Sequence, residues 1–365
     1  MKTLYAGIDL HKKYSVVSII DEKDEIIQQK KILNDNAELK NFFDAIPNPL
    51  EIGIEATFNS YWFNDLIETE KRKVYIGNAR QIKAIGAGAA KTDKIDAHIL
   101  ARLVRSQMFP KIIKPTEADI IKKEEVRSRY FLVKLRSQIK NKIHSYLLRY
   151  NIKHEYGTKL FTKKGIKWLK KETGLPEYYQ ENVNKCLKIY EKLEQEIEEK
   201  SKKIEEKYKN LPEIKLLKTI PEIGTYRAVL LMGEIGDIKR FKTGKKLVNY
   251  FGMAPKVYQS AERNYGGHIT RQGSKYARWA IGEAVQKLER TKSQMGDQYR
   301  QLLSRVGKNK AKIAMGQKLV KIIHYCLTTG EAYQRYPTKK KDLKEDLNNQ
   351  YRSNKAISAE CERTS

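Results

Sequence analysis

Four carboxylates in the first hundred residues lie at positions where acids are unusual. Asp9 comes near the end of the apolar run Leu4–Leu10, and Glu55 ends a second apolar strand. Asp93 and Asp96 are three residues apart, so on a helix they would share one face. An acid beside buried apolar residues is unfavourable unless it has a partner or binds a cation. Carboxylates suit Mg²⁺, and two such ions about 3.5–4 Å apart would clamp the attacking and leaving oxygens of a phosphodiester displacement.

Simpler roles remain open for these residues and their neighbours. Asp93 could stabilise a helix N-terminus through the helix dipole, with Thr92 as the N-cap. Asp96 alone would be a solvated surface residue. Lys12 follows the first strand by a short turn and could approach a phosphate, whereas His11 beside it is interpreted as a polar turn residue.

A second group of candidates surrounds Ser260, which we predict to lie in a loop. The cations on either side of it are Lys256, Arg263, Arg271, Lys275 and Arg278. A serine hydroxyl is a weak nucleophile until a base or a metal activates it. The sequence around Ser260 has no Gly-x-Ser-x-Gly elbow and no evident His–Asp partner. Composition alone therefore favours a phosphate contact or a turn over a nucleophile at this position.

Two other features could contact a phosphate. The segment Ile-Pro-Glu-Ile-Gly ends at Gly224 and opens a helix, so its exposed backbone amides could approach a phosphate as in a helix-hairpin-helix. An ordinary helix connection is the alternative. Lys91 adds a cation two residues before Asp93, the first acid of the second pair.

The composition points to a polyanionic partner. Lys and Arg total 73 and Asp and Glu total 44 among 365 residues, a net charge of +29, and nucleic acid is the usual cause of such an excess. The hydrophobic fraction of 40% excludes a wholly disordered chain. No run approaches the roughly 18 apolar residues of a membrane span, and polar residues interrupt any signal-peptide core. Three distant cysteines form neither a disulfide framework nor a zinc cluster. We therefore expect a reduced, cytoplasmic protein whose metal is held by oxygen ligands.

The elements that must position the acids form an α/β segment, which we assign to a first domain over residues 1–112. Apolar runs predict strands at 4–10, 15–20, 25–32, 52–56 and 74–76, and helical periodicity predicts helices at 36–46, 59–70 and 92–107. Three meandering strands followed by alternating helices and strands are typical of a ribonuclease-H-like fold.

The rest of the chain is predicted to be all-α, in three parts. A helical, partly coiled-coil region covers 113–210, with helices at 117–150 and 183–208. The second helix has a heptad seam, which could pack on its own domain or pair with another protomer. A mainly helical domain follows at 211–336, and residues 337–365 are predicted to be a polar, mobile tail.

Taken together, the motifs resemble those of insertion-sequence transposases with a RuvC-like DEDD domain and a serine-bearing C-terminal domain, the bridge-RNA-guided recombinases related to pilin-gene invertases. Gly-Ile-Asp, Ile-Glu-Ala and Lys-Thr-Asp-x-x-Asp-Ala match the family's four acids at Asp9, Glu55, Asp93 and Asp96. The later motifs are Tyr-Phe-Gly-Met-Ala-Pro, Gln-Ser and Gly-His-Ile-Thr-Arg-Gln-Gly, which place the family's nucleophilic serine on Ser260. Ala261 follows this serine where the family usually has glycine.

This resemblance implies a mechanism and a set of partners. Mg²⁺ or Mn²⁺ on the four acids would activate the scissile phosphate, and Ser260 would attack to give a 5′-phosphoserine link. In such relatives the site combines acids from one protomer with the serine of another, in a tetramer built from dimers. A structured guide RNA pairs with donor and target DNA in that family. By the same resemblance the protein would be prokaryotic and nucleoid-associated.

Three other functions are compatible with parts of the sequence. A metal-dependent junction resolvase or nuclease would use the same acids with water as the nucleophile. A non-catalytic, basic RNA-binding protein would need none of the acids. Gly-Ile-Asp also occurs in actin-like ATPases, but the chain has no Gly-x-x-x-x-Gly-Lys phosphate loop to support that assignment.

Overall fold

A computed structural model of the protein describes residues 2–85, 92–171, 173–260 and 263–333. For residues 257–260 and 263–267 it describes the backbone only. The chain divides into two compact units, Met1–Thr116 and Glu117–Ser365. Lys91 and the tail predicted at 337–365 lie outside the described residues.

The first unit is built on a five-stranded mixed sheet. Its strands are β1 Leu4–Leu10, β2 Tyr14–Ile20, β3 Ile26–Leu33, β4 Leu50–Glu55 and β5 Arg72–Gly77. Its helices are α1 Asn36–Asp44, α2 Ser60–Ile67, α3 Ala79–Ile85 and α4 Asp93–Arg105. The strand order is β3-β2-β1-β4-β5. Strand β2 runs antiparallel to both of its neighbours, while β1, β4 and β5 are parallel. This arrangement confirms the predicted ribonuclease-H-like fold; α3 is an addition that the sequence analysis does not predict.

The middle of this sheet is apolar because helices cover it. Ile8 of β1 and Ile54 of β4 are both 0% exposed and pair in parallel register. The carboxyl ends of parallel strands meet at one edge of a sheet, so Asp9 and Glu55, the next residue of each strand, leave the core at the same edge.

Helix α4 lies against β1 at a distance that only glycine permits. A Cβ added at Gly7 would sit 2.0 Å from the carbonyl oxygen of Ala97 and 2.3 Å from the amide nitrogen of Ala101. Both helix residues at the contact are fully buried alanines. Since Ala97 lies about one turn after Asp93, this contact brings the start of α4 next to the end of β1.

Replacement of Gly7 by alanine should separate β1 from α4. Overpacking of a tight core typically costs about 1–3 kcal/mol, so we expect Gly7→Ala to lower the free energy of unfolding by that amount. The matched control is Gly233→Ala in the second unit, where an added Cβ would meet no atom closer than 3.5 Å. Urea denaturation followed by circular dichroism measures both variants; equal stability of Gly7→Ala and the wild type would contradict the tight contact.

The second unit is mainly helical, as predicted. Its helices are α5 Glu117–Arg149, α6 Lys163–Lys171, α7 Glu177–Tyr208, α8 Pro212–Leu217, α9 Thr225–Ile235, α10 Gly244–Tyr250, α11 Lys275–Leu288, α12 Gln294–Val306 and α13 Lys308–Thr329. A hairpin of β6 Pro255–Ser260 and β7 Arg263–Ile269 interrupts them. Over the described ranges, none of the helices is both long and apolar enough to cross a membrane.

The heptad seam of the second long helix is occupied inside the chain. Helix α7 packs along α5. Its polar interruptions are also satisfied there, because Arg129 Nε donates to Ser201 Oγ at 2.6 Å and Arg136 donates to Glu194 Oε1 at 2.7 Å. The buried seam residues are Val183, Leu187, Tyr190, Ile197, Ile204 and Tyr208. Packing on its own domain is therefore the interpretation that the structure supports, and these residues are not free to pair with a second protomer.

The position of Ser260 differs from the prediction. The sequence predicts a loop, but Ser260 is the last residue of β6, and its backbone pairs with that of Arg263 in β7. The loop prediction is wrong because Gln259 and Ser260 break the alternating apolar pattern that would indicate a strand.

Candidate active site

Asp9, His11 and Asp93 form an acidic cluster at the carboxyl edge of the sheet. Nε2 of His11 lies 3.1 Å from Oδ2 of Asp9 and 3.2 Å from Oδ2 of Asp93. One ligand atom from each of the three side chains lies within 4.8 Å of the other two. The side chain of Asp9 is 23% exposed and that of Asp93 46% exposed, so the cluster is open to a ligand on one side.

The turn after β1 holds His11 in place through its backbone. The side-chain amides of Asn34 and Asn59 both donate to the carbonyl oxygen of His11, at 2.7 and 2.9 Å. The amide nitrogen of His11 donates to the carbonyl of Tyr14 at 3.0 Å. From the sequence, His11 is predicted to be only a polar turn residue; the structure places its imidazole between two carboxylates. The available signal was its position two residues after Asp9, which is not specific.

Helix α4 presents Asp93 in its first turn. Thr92 caps the helix as predicted, since its hydroxyl accepts a hydrogen bond from the amide of Ile95 at 3.3 Å. The partial positive charge of a helix N-terminus stabilises nearby acids. Tyr14 of β2 also donates its hydroxyl hydrogen to Oδ2 of Asp93, at 3.3 Å. The cap and the cluster are therefore compatible roles for the start of this helix.

The electrostatics of the cluster are those of crowded acids. Burial raises the pKa of the Asp9 carboxyl above its ordinary value; His11 opposes the rise, and the charges of Asp93 and Asp96 add to it. Because the folded pKa exceeds the unfolded one, stability contributed by protonated Asp9 is lost as the pH rises through that interval. A bound cation would remove this penalty by neutralising the carboxylates.

The other predicted acids lie near the cluster but outside its innermost group. Asp96 is three residues after Asp93 in the first turn of α4, and its charge reaches Asp9. Glu55 ends β4 beside β1 and is half-buried. Neither belongs to the three side chains whose ligand atoms lie within 4.8 Å of one another. Lys12 is exposed on the turn after β1.

The donor atoms of the cluster fit a divalent cation. Carboxylate oxygens suit Mg²⁺ and Mn²⁺, and a neutral imidazole nitrogen is an accepted ligand of transition metals. The sequence predicts oxygen ligands only, and the structure adds the imidazole nitrogen of His11 to that set. Asp9, Asp93 and His11, with Asp96 and Glu55 nearby, are the residues that could hold such an ion.

The cations predicted around Ser260 have different surroundings. Lys256, Arg271 and Lys275 are exposed. Arg278 is partly buried and donates to the carbonyl oxygens of Phe251 and Gly273, at 2.9 and 2.8 Å, so it ties together the backbone at the base of the hairpin. The side chains of Ser260 and Arg263 lie outside those that the structure describes, and only their strand positions are known.

Gly224 lies between two helices, as the sequence predicts. It is exposed and precedes α9, and Glu222 before it has a positive φ of 65°. The side chain of Arg227 bonds the carbonyl of Glu222 at 2.6 Å, which fixes this turn. An added Cβ at Gly224 would meet no described atom within 4 Å, so the turn leaves room for a ligand to approach the backbone.

Comparison with known proteins gives two matches to family profiles. Residues 6–152 match the DEDD transposase family of the IS110 type, and residues 214–300 match the Transposase IS116/IS110/IS902 family. The first match includes all four predicted acids, and the second includes Ser260.

Individual relatives are distant but extend over most of the chain. The transposase for insertion sequence element IS1328 of Yersinia enterocolitica is 22% identical over 333 residues, covering 90% of this chain and 98% of that protein. The transposase for insertion sequence element IS1533 of Leptospira borgpetersenii is 25% identical over 252 residues, covering 67% and 73%.

Replacement of Asp9 by asparagine should abolish the stabilisation of the folded protein by divalent cations. In wild type, Mn²⁺ at ten times its dissociation constant should stabilise the folded protein by about 1.4 kcal/mol, a rise of a few degrees in the unfolding midpoint. We expect Asp9→Asn to lose that rise. With EDTA at pH 7, the same variant should be at least as stable as the wild type, because the unfavourable buried charge is gone.

Differential scanning fluorimetry with and without Mn²⁺ measures both effects. Asp65→Asn is the matched control, because it removes an exposed carboxylate of α2 from the same unit. It should respond to Mn²⁺ as the wild type does. An undiminished response of Asp9→Asn would show that the cation binds elsewhere.

Proposed function

The chain belongs to the IS116/IS110/IS902 family of insertion-sequence transposases, phosphoryl-transfer enzymes that act on DNA, and from this premise we propose how its residues divide the reaction. Asp9, Glu55, Asp93 and Asp96 hold the divalent cations, His11 takes part in the same cluster, and Ser260 is the nucleophile. The observation that carries the proposal is the approach of Asp9 and Asp93 to one imidazole nitrogen at the carboxyl edge of a ribonuclease-H-like sheet.

The acids act on the phosphate indirectly. A carboxylate repels a phosphodiester, so four acids can serve this reaction only when their charge is more than compensated. A bound Mg²⁺ or Mn²⁺ would supply that compensation and stabilise the charge that develops on the phosphate oxygens. The chain's own contribution is to fix the carboxylates, through the Gly7 contact for α4 and through the two asparagine amides for the turn of His11.

The covalent step that we assign to Ser260 is a transesterification. The serine hydroxyl oxygen forms a bond to phosphorus, and the bond from phosphorus to the 3′-oxygen breaks. The serine gives up its proton, and the departing 3′-oxygen takes one up. The product is a 5′-phosphoserine and a free 3′-hydroxyl, and attack by a new 3′-hydroxyl reverses the step on another strand.

The partners in this proposal are DNA, a structured guide RNA and further copies of the chain. The resemblance to bridge-RNA-guided recombinases supports the RNA, and the net charge of +29 suits a protein that holds two polyanions. Assembly as dimers and a tetramer has the same support. The surfaces for assembly must be other than the seam of α7, because α5 covers that seam.

Removal of the Ser260 hydroxyl should abolish the protein–DNA adduct together with strand exchange. The protein is expressed with its natural element and Mg²⁺, the DNA is digested, and the peptides are examined by mass spectrometry for a nucleotide remnant. We expect the remnant on Ser260 in wild type, and none in Ser260→Ala or Asp9→Asn. Ser304→Ala removes an exposed hydroxyl of α12 and should leave the adduct intact.

The same experiment tests the alternative function, a nuclease that uses water as the nucleophile. Metal-dependent cleavage that persists in Ser260→Ala without any adduct would mean that water is the nucleophile, and the serine assignment would be wrong. Cleavage that persists in Asp9→Asn would instead refute the metal site.

A further inference from the structure

Helix α6 carries five lysines on one face. Successive residues of an α-helix are about 100° apart, so the five fall within an arc of about 120°. The helix has no acidic residue, and all five lysines are exposed. We call this surface the lysine face of α6; its members are Lys163, Lys164, Lys167, Lys170 and Lys171.

The opposite face of α6 is fixed to the core. Gly165 and Leu169 are buried there. A Cβ added at Gly165 would sit 2.1 Å from the carbonyl oxygen of Leu160, so the helix contacts the preceding backbone directly. Trp168, at the margin, packs on Tyr156 with 5.6 Å between the ring centroids. The lysine face is therefore held outward by a packed apolar face.

The described part of the chain leaves most charges on this face without an acidic partner. Lys170 pairs with Glu191 of α7 at 2.8 Å. Among the described residues, no carboxylate lies within 4 Å of the other four ammonium groups. Lys167 has a lysine three or four residues away on both sides, and like charges at this spacing destabilise a helix. Lys163 and Lys164 also lie in the first turn, where the helix dipole disfavours cations.

Helix α7 is also highly charged, but its lysines and glutamates form ion pairs along its surface. Its lysines alternate with glutamates, and three pairs lie one turn apart. The distances between the paired charges are 3.8 Å for Glu181 and Lys185, 3.2 Å for Lys192 and Glu196, and 3.0 Å for Glu198 and Lys202. Helix α6 differs from α7 because four of its five lysines have no such partner among the described residues, and a bound anion would offset their mutual repulsion.

We propose that the lysine face of α6 binds the phosphate backbone of duplex DNA. The face is about 12 Å long, and a duplex carries one negative charge per about 1.7 Å of its axis, so several phosphates lie within reach of the five ammonium groups. Lysines contact phosphate without reading bases, and Trp168 is engaged in the core. The contact is therefore independent of sequence. The choice of DNA over other polyanions rests on the transposase function proposed above.

The test compares two triple variants that remove the same charge. One is Lys163→Gln, Lys164→Gln and Lys167→Gln on the lysine face of α6. The control is Lys185→Gln, Lys192→Gln and Lys202→Gln, which removes three exposed lysines from α7. Binding of the full chain to a random-sequence DNA duplex is measured in EDTA over a series of KCl concentrations.

The α6 variant should bind DNA more weakly, and its plot of log affinity against log salt should be shallower by about 3, roughly one for each lysine. The loss should be the same for any DNA sequence, and the control should stay close to the wild type. Equal losses in both variants, or an unchanged slope in the α6 variant, would overturn the proposal. The α6 variant should unfold no earlier than the wild type on heating, because it relieves repulsion. An unfolding midpoint at or above that of the wild type shows that weaker binding does not come from misfolding.

Two further measurements separate this proposal from its neighbours. A duplex RNA of the same sequence is titrated in parallel; if the α6 variant loses affinity for RNA alone, the assignment to DNA is wrong. The Ser260 adduct is measured separately in the presence of Mg²⁺, whereas the DNA titrations are made in EDTA and need no cation at the acids. Failure of the serine chemistry therefore leaves the binding result standing, and failure of the α6 result leaves the serine chemistry standing.

Discussion

The contact between Gly7 of β1 and the Ala97–Ala101 turn of α4 sets the geometry of the acidic cluster. Asp9 is two residues after Gly7, and Asp93 is about one helical turn before Ala97, so the distance between strand and helix decides how far apart the carboxylates lie. The small residues on both sides allow backbone to approach backbone. A larger side chain at Gly7 does not fit this contact, so it would push apart the strand and the helix that carry Asp9 and Asp93.

Four electrostatic effects, two against and two in favour of ionised acids, act on the cluster at the edge of this sheet. Burial and mutual repulsion disfavour the ionised form of Asp9, while the N-terminus of α4 and the imidazole of His11 favour charge on the acids. A bound cation would offset the repulsion between these carboxylates. The acids repel each other, so it is the packing of β1 against α4 that keeps them close. Functional sites commonly hold charged groups together in this way.

The sequence predicted those features that depend on local pattern. Apolar runs located all five strands of the first sheet, and the acids at the ends of β1 and β4 followed from them. The position of His11 between two carboxylates could not be predicted, because it arises from contacts between elements distant in sequence, with Asn34 and Asn59 both bonding its carbonyl. The heptad seam of α7 was visible in sequence, but a seam does not say whether its partner is α5 or another chain. Strand β6, which ends at Ser260, was missed because polar residues break its alternating apolar pattern.

The acids proposed for chemistry cannot themselves attract DNA, since carboxylates and phosphates repel each other at any separation within a Debye length. Affinity must therefore come from other parts of a chain whose net charge is +29. A face composed only of lysines meets this need, but it contacts phosphates and distinguishes no base from another. If binding through α6 is independent of sequence, the choice of a DNA site requires a separate component. Base pairing by a guide RNA would select the DNA site, and the basic surface would then only need to bind the DNA backbone.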